Sequence, residues 1–207
     1  VLGSGTGGSI GFSAHDLNIL KGSGITTGTF GSGKAGDVTI TARNVLVDGQ
    51  NVHHVLTGIG SLTGPGSTGD GGAVKLTVAD NITVQNGGRV GASTSGAGDA
   101  GDVTITARNL LIDGQNTASF TGIDSLSTPN STGDGGTINL TIADTLTVRN
   151  GGRISAASAT TSGGNITLDV ARLRLFNGGA ISATVYGGSN TEGGNVTINS
   201  GNIVALN

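Results

Sequence analysis

The sequence lacks the residue types on which many small secreted domains depend. None of its 207 residues is Cys, Met or Trp, and it contains only 2 Pro, 1 Tyr and 4 Phe. Without Cys there is no disulfide framework, which suits a chain exported unfolded through a pore and favours a bacterial cell-surface route. With so little Pro and no Gly at every third position, a collagen triple helix is excluded.

Charge and long hydrophobic runs are also scarce. Charged residues make up 11% of the chain, and the formal net charge is −3. No cluster of Lys and Arg provides the basic footprint of a nucleic-acid-binding protein. No apolar run approaches the roughly 18 residues of a membrane-spanning helix, and we expect no signal peptide within these residues. Because both ends lie inside the repeating pattern, we expect the chain to be an interior piece of a longer or processed protein.

Glycine, in contrast, is abundant, at 41 of 207 residues. An average protein has about 7% Gly, so this composition raises the question of disorder. Alternating runs of Val, Ile, Leu and Thr argue against it, because a disordered chain lacks the apolar residues that offset the entropy of ordering.

A sixteen-residue stretch occurs twice. Gly36–Asn51 reads GDVTITARNVLVDGQN, and Gly101–Asn116 repeats it with two conservative changes. Thr68–Ser93 returns in the same way as Thr132–Ala157. Self-similarity at a fixed period is the signature of a repeat fold. The duplicated unit spans two coils; we call residues 36–71 the first twin coil and residues 101–135 the second twin coil.

A glycine, a polar residue and an apolar–polar–apolar alternation mark the start of each coil. Successive starts are separated by 28, 36, 29, 35, 28 and 30 residues. Three strand signals recur in each coil, and their period-two alternation places apolar side chains on one face. In the coil from Gly136 they are Ile138–Ile142, Leu146–Val148 and Ile154–Ala156. The starting glycines are Gly8, Gly36, Gly72, Gly101, Gly136, Gly164 and Gly194.

Asn-Gly and Asp-Gly pairs separate the strands, as at Asn86-Gly87, Asp48-Gly49 and Asp113-Gly114, and such pairs tolerate the positive φ of a sharp corner. Hairpins would zigzag without regard to the coil period, whereas a winding chain pairs each strand in parallel with its counterpart one coil later. The pattern predicts an all-β, right-handed parallel β-helix. It has three strands per coil, 28–36 residues per coil and six to seven coils, in a single domain over residues 1–207. The extra residues around Leu62–Thr68 and Leu126–Thr132 are expected to bulge from one flank.

Carboxylates are the first candidates for chemistry, because a glycoside hydrolase needs two of them at a defined separation. The candidates are Asp99, Asp102, Asp70 and Asp134. A catalytic pair is needed once, whereas most of these residues recur in every second coil, which favours turn-forming or solvated roles. The recurring pairs are Asp37 and Asp102, Asp48 and Asp113, Asp70 and Asp134, and Asp80 and Asp144.

Two further features suggest ion binding without establishing it. The GDGG segments at Gly69–Gly72 and Gly133–Gly136 are a distant echo of a calcium-binding nonapeptide, but each supplies one carboxylate. His53 and His54 are adjacent, and adjacent residues of a strand point to opposite faces, so exposed loop residues are the favoured interpretation. The GSGK of residues 31–34 lacks phosphate-loop spacing. No metal and no cofactor is predicted.

Basic residues recur in the same way. Arg43 and Arg108 are two coils apart, as are Arg89 and Arg153, which corresponds to about 10 Å along the axis. The favoured interpretation is solubility and hydrogen bonding at the corners. The alternative is a face for anionic glycans.

Aromatic residues and threonines could each form a further kind of binding surface. A polysaccharide-binding groove would be lined by aromatic residues, and here only Phe30 and Phe120 lie in the longer sections. An outward threonine face such as Thr39 and Thr41 would suit ice binding, but Lys75, Asn139 and Asp169 interrupt it.

Several phrases carry a family resemblance. The segments GDVTITARNLLIDGQN, TVRNGGRISAASATTSGGNITLDV and GGNVTINSGNIVALN resemble the repeat region of filamentous-haemagglutinin-like exoproteins of the two-partner secretion type, particularly the cyanobacterial members. The resemblance covers essentially the whole chain. It implies a secreted β-helical protein that is exported through an outer-membrane transporter and serves in adhesion, surface layers or fibres.

Together these observations predict a structural or adhesive protein of the bacterial surface that is not an enzyme and has no catalytic residues. We expect continuation or self-association end to end into a fibre, a glycan or other cell-surface ligand, and no nucleic acid. The alternative is a polysaccharide-binding or polysaccharide-degrading β-helix.

Overall fold

The computed structural model describes residues 3–50, 57–115, 117–187 and 191–207. These residues form thirteen β-strands and no helix. The strands are β1 Ile10–Leu20, β2 Gly24–Thr29, β3 Val38–Asp48, β4 Thr57–Thr63, β5 Val74–Gln85, β6 Gly88–Thr94, β7 Val103–Asp113, β8 Gly122–Ser127, β9 Ile138–Arg149, β10 Arg153–Ser158, β11 Ile166–Phe176, β12 Ala180–Ser182 and β13 Val196–Leu206.

The strands form two parallel sheets in which each strand pairs with its counterpart one coil later. The odd-numbered strands form a seven-stranded sheet in the order β1-β3-β5-β7-β9-β11-β13. The even-numbered strands form a six-stranded sheet in the order β12-β10-β8-β6-β4-β2. Because seven long strands bound six complete turns, the fold is a parallel β-solenoid of about six turns, and the predicted fold class is confirmed.

The first two predicted strands of each coil run on as one long, bent strand, so each coil contains two strand segments. In β3 the inward residues are Val38, Ile40 and Ala42, then Val45 and Val47. The alternation therefore skips one residue at the bend. In β5 and β9 the bend is one residue longer, and the pairing register shifts there. The sequence pattern predicted a gap between two strands at this corner. The structure has a bend there, within one continuous strand.

Side chains of one type stack along the axis and form the core. In the second sheet Ile59, Val90, Ile123 and Ile154 pair in register, and each is at most 1% exposed. Burying such an aliphatic side chain contributes about 1.5–3 kcal/mol. The stacks fix the register of every coil, because a one-residue slip would turn the apolar set outward.

The glycines that start the coils form a ladder of close backbone contacts. A Cβ at Gly36, Gly72, Gly101, Gly136, Gly164 or Gly194 would lie well inside 3.0 Å of a carbonyl oxygen of the preceding coil. Any side chain there would force adjacent coils apart. This close approach explains why the same residue begins each coil.

Left-handed backbone marks the corner after each long strand. Asn86, Asn150 and Asn177 have positive φ, as predicted, and so do the glycines that follow them. The prediction was wrong for the two Asp-Gly corners, where the positive φ lies one residue later, at Gln50 and Gln115. The Asp48 carboxylate accepts a hydrogen bond from the Gln50 backbone N–H at 2.9 Å, and Asp113 does the same for Gln115 at 3.0 Å. That side-chain bond stabilises the left-handed residue.

The segments that follow β4 and β8, where a bulge was predicted, are short turns whose serines point inward. Ser67 and Ser131 are 1% exposed, and their hydroxyls donate to the carbonyls of Gly64 and Thr128 at 2.8 and 2.9 Å. The tips, at residues 65–66 and 129–130, are exposed. These turns expose residues such as Pro129 where a bulge was predicted, but they hold only the smaller part of each insertion. Eight residues separate β7 from β8, whereas two separate β5 from β6, so most of the extra residues of the second twin coil precede β8.

Candidate ligand-binding cleft

The recurring carboxylates at the coil starts bond to the backbone of the next coil. Asp37 accepts from the Ala73 N–H, and Asp102 accepts from the Thr137 N–H, both at 2.8 Å. Asp70, Asp99 and Asp134 continue the pattern, since each accepts an N–H from the following coil at 2.8–3.1 Å. These side chains form a ladder along the axis rather than a facing pair.

The corner carboxylates are buried and hydrogen-bonded. Burial by itself would raise the pKa of Asp48, but hydrogen bonds from Gln85, Asn86 and the Gln50 backbone outweigh it and lower the pKa below its ordinary value. The equivalent carboxyl of Asp113 also has a lowered pKa. There burial is outweighed by bonds from Asn150, Arg149 and the Gln115 backbone.

The bend of the long strands carries polar ladders. The Asn81 side-chain amide donates to Asn44, and Asn109 donates to Asn81, each at 3.1 Å. Arg43 Nε lies 2.7 Å from Asp80, and Arg172 pairs with Asp144. Arg108 is exposed on the same bend and has no ion-pair or side-chain hydrogen-bond partner among the described residues.

The other candidate residues from the sequence lie at separate places, where the structure describes them. His53 and His54 lie outside the described residues. Lys34 lies 3.8 Å from Asp37 in an exposed ion pair rather than at an open loop. Within the described ranges, no three His, Asp or Glu side chains come together as a metal site. The outward Thr41, Thr77, Thr106 and Thr141 are in register.

The outer surface of the second sheet holds a cleft in which side chains of several coils meet. Arg89 and Arg153 lie on β6 and β10, on either side of Gly122 of β8 in the same register row. Two strand spacings separate the strands of the two arginines by about 10 Å. Gly122 has φ +150°, and a Cβ there would collide with the Arg153 backbone. The floor between the arginines is therefore bare.

Asp124 is the next outward-facing residue of β8 after Gly122, and it is only 2% exposed. Arg89 grips its carboxylate with two bonds, from Nε at 2.8 Å and from a terminal nitrogen at 2.7 Å. Burial raises the pKa of the Asp124 carboxyl, and the Arg89 guanidinium opposes that rise. The neighbouring residue in the row is Gly91, where a Cβ would overlap the Asp124 carboxylate.

Aromatic side chains flank this floor. Phe120 is 36% exposed and its ring centroid lies 5.9 Å from the Arg89 guanidinium carbon, within cation–π range. Tyr186, the single tyrosine of the chain, is 73% exposed on the β12 side. Arg89, Phe120, Asp124, Arg153, Ser155 and Tyr186 are among the residues that enclose a space of about 330 Å³.

One of the two arginines of the cleft is paired with a carboxylate, and the other is not. Arg89 and Asp124 neutralise each other, whereas the exposed Arg153 guanidinium has no side-chain partner in the described part of the chain. A free guanidinium above a bare floor, in a cleft that also holds two exposed rings, suits an anionic ligand with an apolar face. Of the described carboxylates only Asp124 lines this space, whereas hydrolysis of a glycoside requires two.

Sequence reasoning named three members of the cleft and missed others, among them Asp124 and Tyr186. Arg89, Arg153 and Phe120 were considered individually, and the structure brings them together. Asp124 and Tyr186 were not considered. A signal for Asp124 was present: the TGIGSLT of residues 57–63 becomes TGIDSLS at residues 121–127, so Asp124 is an acidic residue that does not recur. The criterion that a functional residue is needed once applies to it directly.

Comparisons with known proteins do not assign the chain. No protein-family model, no curated protein and no solved structure matches it. The described ranges also contain no helix with the length and hydropathy needed to cross a membrane.

Proposed function

We propose that the chain is a rigid, non-catalytic segment of a structural or adhesive protein at the bacterial surface. Its role is to extend a stiff rod and to present a side surface to other molecules. The coils stack in parallel without a break through the seven strands of the first sheet.

One observation carries this proposal: many polar side chains form hydrogen bonds between adjacent coils. Carboxylates at the coil starts accept backbone N–H groups of the next coil, as Asp102 does from Thr137 at 2.8 Å. Asparagines at the bend bond to one another along the axis. In a solenoid each repeat contacts only its neighbours, so such ladders add stiffness at every step.

The surface location rests on sequence. The family resemblance implies secretion through an outer-membrane transporter, and the absence of Cys suits passage as an unfolded chain. We therefore include a two-partner secretion route, and continuation into a fibre, in the proposal.

Two measurements test this proposal. Immunogold labelling with an antibody against residues 1–207 should decorate intact cells, and electron microscopy of the purified natural protein should show elongated rods or fibres. Labelling confined to broken cells, or compact monodisperse particles, would contradict it. A pre-immune serum is the control for labelling.

Polysaccharide binding is a second function, and the cleft of the second sheet favours it. The cleft combines an unpaired Arg153 with the exposed rings of Phe120 and Tyr186. Binding rather than cleavage is the activity we assign to it, because Asp124 is locked in a two-bond ion pair with Arg89.

A further inference from the structure

We propose that the cleft beside Arg89 and Arg153 binds a short anionic oligosaccharide, with Arg153 binding a negative group and Phe120 and Tyr186 contacting sugar rings towards its two ends. This inference rests on the second function above and deepens it by naming the ligand class and the residue roles.

The anionic character follows from the charge balance of the cleft. Asp124 is satisfied by Arg89, so it neither repels an anion strongly nor competes for Arg153. Arg153 projects from β10 and has no side-chain partner among the described residues. A planar guanidinium binds carboxylate or sulfate oxygens with two parallel hydrogen bonds.

The sugar character follows from the walls and floor. Phe120 and Tyr186 present exposed apolar rings, and such rings carry a large contact area at small entropy cost. Ser155 and Ser182 line the floor with hydroxyl groups, which can exchange hydrogen bonds with sugar hydroxyls. The volume of about 330 Å³ lies at the small end of the range for ligand sites. The cleft also runs along the strands, since Phe120 precedes Gly122 of β8, and the Tyr186 backbone bonds to Ser158 at the far end of β10. It therefore suits a short oligosaccharide rather than a long chain.

The bound ion pair of Arg89 and Asp124 serves as a positioning device. Arg89 also donates to the Ser93 hydroxyl, so its guanidinium is held at several points. Its guanidinium carbon lies within cation–π range of the Phe120 ring, and this attraction helps to keep the ring at the edge of the cleft. Asp124 does not touch the ligand in this scheme; it holds Arg89, which in turn holds Phe120.

Calorimetric titration of the 207-residue protein tests the inference. The probes are trigalacturonate, a sulfated galactose trisaccharide and the neutral galactose trisaccharide. We expect the anionic probes to bind, and the stronger of the two identifies the negative group. Arg153→Gln should weaken that binding roughly tenfold or more, and Tyr186→Ala should weaken it by a similar factor. Arg108→Gln removes an unpaired arginine on the first sheet and should leave binding unchanged.

Each alternative outcome is decisive. Equal binding of neutral and anionic probes, or no binding of any probe, would overturn the inference. Equal losses in the Arg153→Gln and Arg108→Gln proteins would show non-specific attraction and would also overturn it. Appearance of new reducing ends or unsaturated sugars would contradict the non-catalytic function instead. The labelling and microscopy described above test the surface rod separately.

Discussion

The twin coils have nearly the same sequence and the same strands, yet their outer surfaces differ. In β4 the outward row carries Gly60, whereas at the equivalent position of β8 it carries Asp124. Directly beneath, Ile59 and Ile123 are both buried in one stack. The difference teaches that duplication preserved the inward stripe, while one outward change beside Gly91 introduced a buried carboxylate and an ion pair.

Replacing the shared core residue tests whether the twins are equivalent inside. Ile123→Ala and Ile59→Ala should each lower the free energy of unfolding by about 2–5 kcal/mol, because both leave a cavity in the same stack. Denaturant unfolding of the two variants measures the losses. Losses that differ by more than about 2 kcal/mol would break the comparison, since the two sites would then not be equivalent.

Removing the carboxylate tests the outward difference. Asp124→Gly restores the residue of the first twin coil and should lower stability by about 1–3 kcal/mol, because it removes two charge-assisted bonds. Arg89→Gln leaves the buried Asp124 without its cation and should cost at least as much.

The double variant Asp124→Gly, Arg89→Gln provides the control for that prediction. It should cost less than the sum of the single changes, because neither partner then remains unpaired. Strict additivity in chemical unfolding would mean that the ion pair seen at β8 contributes no coupling.

Acid should destabilise both twin coils through Asp48 and Asp113. The pKa of each is lowered in the folded protein, so each contributes stability above the unfolded value of about 3.9. That stability is lost as the pH falls through the folded pKa. Asp48→Asn and Asp113→Asn should therefore each flatten the fall in unfolding free energy below about pH 4. Unfolding curves from about pH 7 to about pH 2.5 measure this, and an unchanged acid slope in both would contradict it.

The smallest expected effect on stability concerns the side-chain partner of each carboxylate, which is charged for Asp113 and neutral for Asp48. Asp113 pairs with Arg149 at 2.8 Å, whereas Asp48 is bonded by the neutral Gln85 at 2.9 Å. Arg149 is 45% exposed, so Arg149→Gln should cost less than about 1 kcal/mol. The loss should shrink as salt is added, because salt screens exposed pairs. Gln85→Ala is the matched control, and an equal salt response in the two variants would contradict the prediction.

Local pattern was sufficient for most of the fold. The spacing of the glycines from Gly8 to Gly194 located every long strand, because each coil repeats the same alternation and pairs with a copy of itself. It was insufficient at the bend, where Arg43 and Asn44 both face outward and the chain does not break. It also misplaced the positive φ at the Asp-Gly corners, since the preference of Gly for left-handed backbone was overridden by the bond from Gln50 to Asp48.

The cleft was less accessible to the same reasoning. Arg89 and Arg153 were recognisable as a repeated pair, but their spacing alone did not reveal that Gly122 leaves the floor open between them. Asp124 was recognisable only as a departure from the repeat. Tyr186 follows the shortest strand, β12, and no periodicity leads to it.

The sequence by itself determined the winding, the coil length and the inward stripe, because parallel stacking demands that the same short pattern recur once per turn. Only the tertiary structure decided which outward residues meet. Arg89 and Asp124 are 35 residues apart along the chain and yet are hydrogen-bonded, because β6 and β8 are neighbours in the sheet, about 5 Å apart. Winding converts a turn of some 30 residues into one such spacing, and that conversion brings side chains of different coils together.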